Sequence, residues 1–68
     1  MNKDELIRIA ELAESKIFRH SEAIREIVFN DDYASPMLES LVDTMKTDLD
    51  ILLKSFRQLS ELTYNDNK

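Results

Sequence analysis

The sequence predicts an all-α fold, an antiparallel two-helix hairpin that dimerises into a four-helix bundle. Two long stretches space their apolar residues alternately by four and three, the mark of one helix face. A single polar cluster ahead of Pro36 separates them. The chain has 68 residues, no cysteine and one histidine, so neither disulfides nor a zinc site supplement its small core. Oligomerisation is the remaining common remedy.

The first helix is expected over residues 3–29. Asp4 and Glu5 place negative charge in its first turn, where the helix dipole favours it. Leu6, Ala10, Ala13, Ile17, His20, Ile24 and Ile27 form its seam, and Ile9, Ala23 and Val28 widen the stripe. Residues 30–35 are expected as the loop, because Asn30, Asp31 and Asp32 favour turns and caps over helix interior. Ser35-Pro36 restarts the helix: serine accepts from a free backbone N–H, and proline at the first position loses no needed donor.

The second helix is expected over 36–62, followed by a frayed polar tail over 63–68. The whole chain, 1–68, reads as one hairpin domain. Every position in Leu38, Val42, Met45, Leu49, Leu52, Phe56 and Leu59 is apolar. The charged residues Glu39, Asp43, Lys46, Asp50, Lys54, Arg57 and Glu61 share one narrow arc, which leaves roughly 240° of the helix apolar or neutral apart from Asp48. One hairpin partner cannot cover so wide a face. The seven seam residues, with Ile51 and Leu62, are therefore expected at an oligomer interface, most simply a homodimer.

Charge and composition exclude several functions. A net charge of −5 opposes binding to nucleic acid or to an anionic membrane surface, since both need a basic face. No apolar run is long enough to span a bilayer, and the first residues lack a signal-peptide core, so a cytoplasmic location is expected. With no glycine there is no phosphate-cradling loop, and with no cysteine and one histidine no nucleophile–base pair suggests itself. No cofactor, metal or catalytic residue is expected, and the chain is not read as an enzyme.

Three groups of residues carry the functional expectations. Ile7, Phe18 and Phe29 recur every eleven positions on the first helix and form a candidate surface for another protein, since aromatic anchors dominate interfaces. His20 is a polar residue in an apolar seam, suited to fixing register or oligomer state. Lys16 and Asp48 each interrupt the neutral side of their own helix. With the loop centred near residue 32, residues whose numbers add to about 65 share a height, so Lys16 and Asp48 are expected to pair.

The favoured function is a non-enzymatic protein–protein interaction module: a regulator, adaptor or inhibitor. The alternative is a phosphorelay component. A dimeric hairpin with a seam histidine is similar in build to the dimerisation domains of histidine kinases, which would make His20 a phosphoacceptor. The run His20-Ser21-Glu22-Ala23-Ile24-Arg25, however, lacks their acid directly after the histidine. Lys46-Thr47-Asp48-Leu49-Asp50 shares a Leu-Asp ending with the Ser-Gln-Glu-Leu-Asp signature of small sporulation-type aspartyl-phosphate phosphatases, without its Ser-Gln start. Two further families are similar in architecture alone: the plasmid RNA-binding hairpin that controls primer formation, and the short hairpin chaperones of type III secretion needles. The acidic charge counts against RNA.

Overall fold

Asn2 starts the first helix. Its side-chain oxygen accepts from the backbone N–H of Glu5 at 2.8 Å, and its amide donates to the Glu5 carboxylate at 3.0 Å. This resembles a capping box, except that the acid is held by the side chain of the cap and not by its backbone. In the computed structural model, which describes residues 1–66, helix α1 spans Lys3–Phe29 and helix α2 spans Pro36–Asp66. The two pack against each other, and no strand occurs among the described residues.

The connection is built from backbone hydrogen bonds. Asp31 N–H donates to the Val28 carbonyl at 3.0 Å, and Asp32 N–H to the Ile27 carbonyl at 3.2 Å. These bonds make a Schellman motif with Asp31 at the left-handed position, φ 57°. Glycine is the usual residue there. Aspartate is among the few others that tolerate it, and here its carboxylate also accepts from the Tyr33 hydroxyl at 3.1 Å. Ser35 then caps α2: its hydroxyl accepts from Met37 N–H at 3.2 Å.

The second helix departs from expectation at its far end. Thr63 and Tyr64, expected in a frayed tail, are helical, and α2 runs on to Asp66. Neither glycine nor proline stands there to stop it. Residues 67–68 of the expected tail lie outside the described residues.

The seam of α1 lies as the periodicity places it. Leu6, Ala10 and Ala13 are buried, and Ile17, His20, Ile24 and Ile27 are half-buried. On α2 the covered residues are Leu38, Leu41, Met45, Asp48, Leu52, Ser55, Leu59 and Leu62. That is also a three-four heptad pattern, but it alternates differently from the all-apolar series. Leu38, Met45, Leu52 and Leu59 belong to both patterns. Asp48 and Ser55 take the inner places that apolarity alone gives to Leu49 and Phe56.

Candidate interaction surface

The polar centre of the hairpin is His20 opposite Asp48. The histidine Nδ1 lies 3.8 Å from a carboxylate oxygen, with the side chains 28% and 8% exposed. At that separation the two attract as charges when His20 is protonated but form no hydrogen bond. Both atoms are buried without a hydrogen-bond partner. A charge held this way costs stability unless something offsets it, while its single opposite number fixes which residues of the two helices share a height.

The expected Lys16–Asp48 pair does not form. Asp48 meets His20, four residues and about one turn further along α1, and Lys16 is exposed. The physical reason is solvation. Lys16 sits one step off the seam, where its long side chain carries the ammonium into water, and no gain would offset desolvating it. Ser55, the other buried polar residue, is satisfied locally by donating to the Ile51 carbonyl at 2.9 Å.

Few apolar groups are enclosed. Among the described residues the buried apolar ones are Leu6, Ala10 and Ala13, and no large side chain is fully buried. Val42, Leu49, Phe56 and Ile51 of the expected interface are exposed on a single hairpin, whereas Leu38, Met45, Leu52, Leu59 and Leu62 are partly covered. The molecule measures 53 × 16 × 14 Å, with a radius of gyration of 15.7 Å. A compact domain of this length would have about 11 Å. Its accessible surface is 5550 Å² for a mass of 8.0 kDa, about 1,000 Å² more than a folded monomer of that mass usually exposes.

Ile7, Phe18 and Phe29 do not form one patch. Ile7 lines a shallow groove with Ala10, Leu52, Phe56 and Leu59, edged by Glu11 and Glu14, so it belongs to a flank of the hairpin shared by both helices. Phe18 lies among Glu14, Ser15 and Arg19, and Phe29 among Glu22, Ala23, Arg25 and Glu26. An eleven-residue step drifts around a helix packed in heptads, which carries the series from the seam edge to the outer face. Phe29 is 85% exposed, the most exposed of the large hydrophobic side chains. Leu12, also exposed, is a surface residue that the spacing argument missed; it completes no aligned series.

The charged strip of α2 is solvated. Lys54–Asp50 at 3.0 Å and Lys46–Asp43 at 3.8 Å are exposed pairs of helical spacing, each contributing only a few tenths of a kcal/mol. Among the described residues no group of three or more His, Cys, Asp or Glu side chains could hold a metal, and no helix is long and apolar enough to cross a membrane. Comparison with protein-family models, curated proteins and solved structures finds no match to this chain.

Proposed function

We propose that this chain is a cytoplasmic, non-enzymatic protein–protein interaction module, a small regulator, adaptor or inhibitor that acts as a homodimeric four-helix bundle. One observation carries the reading: a hairpin whose enclosed apolar residues are Leu6, Ala10 and Ala13 leaves Val42, Leu49, Phe56 and Phe29 open to water. Exposure of that extent on so small a protein marks surfaces that meet other chains. The flanks along the seam suit a second copy. The outer face of α1, with Phe18 and Phe29, suits the target protein.

The reading is tested in two measurements. Light scattering of the purified protein should give twice the chain mass. Affinity capture from the native host, run in parallel with wild type and Phe29→Asp, should show a partner that the variant loses while its mass in solution stays dimeric. A monomeric wild type, or identical captures, would sink the proposal. The phosphorelay alternative predicts acid-labile phosphate on His20 after treatment with acetyl phosphate. The histidine's place in the seam, with Nδ1 turned to Asp48, supports a register role instead.

A further inference from the structure

Two flanks run along the seam, and they differ in chemistry. One carries Ile9, Lys16 and Ala23 from α1 and Met37, Thr44, Ile51 and Gln58 from α2, so a cation and an amide interrupt it. The other carries larger apolar side chains, though Glu14 and Ser21 stand between Ile7 and Val28 on α1. Ile7 and Phe56 line its groove together, and seven-residue spacing puts Val28 in line with Ile7, and Leu49 and Val42 in line with Phe56. These five are 36%, 54%, 42%, 50% and 42% exposed respectively.

We infer that this flank seats a second copy of the chain, packed antiparallel about a two-fold axis through Leu49. The inference rests on the dimer reading above and specifies its interface. Two observations support it. The surface excess of about 1,000 Å² is comparable to the roughly 800 Å² that each partner contributes to a standard interface. The flank is also self-complementary. Ile7 and Val28 are equally distant from a midpoint between Ile17 and Phe18, and Val42 and Phe56 are equally distant from Leu49. Because His20 faces Asp48, Leu49 stands level with Arg19. The two midpoints therefore fall within two residues of one height, about 3 Å along the axis.

A two-fold axis there, perpendicular to the helices, lays Ile7 on Val28 of the second copy, Val42 on its Phe56, and Leu49 on its own mate. The same operation brings Glu11 to Arg25 of the second copy at the edge, opposite in sign. Phe18 stays at the rim. The two loops of the antiparallel dimer lie at opposite ends.

Three variants test the seat and its orientation. Leu49→Asp should halve the mass seen by light scattering, and Ile51→Asp, on the opposite flank, should leave it unchanged. Should Leu49→Asp lose its helical circular dichroism, the cysteine variants decide. A disulfide needs Cα atoms within about 7 Å, so Leu49→Cys should oxidise to a covalent dimer and Asp32→Cys, in the loop, should not. Cross-linking through position 32 but not 49 would overturn the antiparallel arrangement. A dimer that survives Leu49→Asp and fails with Ile51→Asp would move the seat to the other flank while leaving the dimeric module standing. A monomeric wild type would overturn both.

Discussion

The two halves of the seam are packed differently. Far from the loop, Leu6, Ala10 and Ala13 of α1 lie against the stretch of α2 that contains Ser55, and all four are buried, at 2%, 6%, 3% and 4% exposure. Near the loop, Ile24, Ile27, Leu38, Leu41 and Met45 are larger and more apolar, yet each is only half-buried. Small side chains let two helices approach closely, and a close partner can cover a small residue completely. Leu6, set beside Ala10 and Ala13, is enclosed in this way, whereas the branched side chains near the loop have no such small neighbours in the seam. The more apolar half of the seam is therefore the half that still needs covering.

Leu6→Ala should show the largest effect. It removes a side chain 2% exposed and should cost about 2–3 kcal/mol by urea denaturation. Leu38→Ala, in the half-covered region, should cost less than half as much; equal losses would erase the contrast between the halves. At their boundary, Asp48→Leu should stabilise the protein by about 1–3 kcal/mol, because it replaces a buried carboxylate oxygen that lacks a hydrogen bond. A loss there would mean that the His20–Asp48 attraction outweighs its desolvation. The smallest change is expected at the loop: Asp31→Gly should raise stability by about 0.5 kcal/mol by relieving a left-handed aspartate, less the Tyr33 bond it gives up.

Much of the architecture is legible in the residues. The absence of glycine, the Asn30-Asp31-Asp32 cluster and Ser35-Pro36 point to two long helices with one turn between them, and the α1 seam can be read from Leu6 to Ile27. The α2 seam cannot. Leu38, Met45, Leu52 and Leu59 combine equally well with Val42, Leu49 and Phe56 or with Leu41, Asp48 and Ser55. Apolarity favours the first set, whereas a single hairpin takes the second inward. The decision rests with α1, whose His20 supplies the polar counterpart for Asp48. Periodicity within one helix holds no information about the other. Lys16, besides gaining nothing from desolvation, stands out of register with Asp48. A symmetric loop sets the height one turn wrong, and the Schellman turn, with its bonds concentrated on the α1 side, is not symmetric.

The same turn governs the order in which the chain can close. Its hydrogen bonds join residues no more than five apart in sequence, so it can form while the arms are still apart, at little loop-closure entropy. Contacts added outward from it each shorten the open segment left for the next, a zipper that begins at Asp31 and finishes at Leu6. The arms would meet last where the small residues pack tightest. Chain ends ordinarily open first, but here the closing stretch is also the best enclosed. Amide exchange should therefore be slower around Ala10 and Ala13 than around Ile24 and Ile27, and the reverse ranking would show that the hairpin opens from its ends.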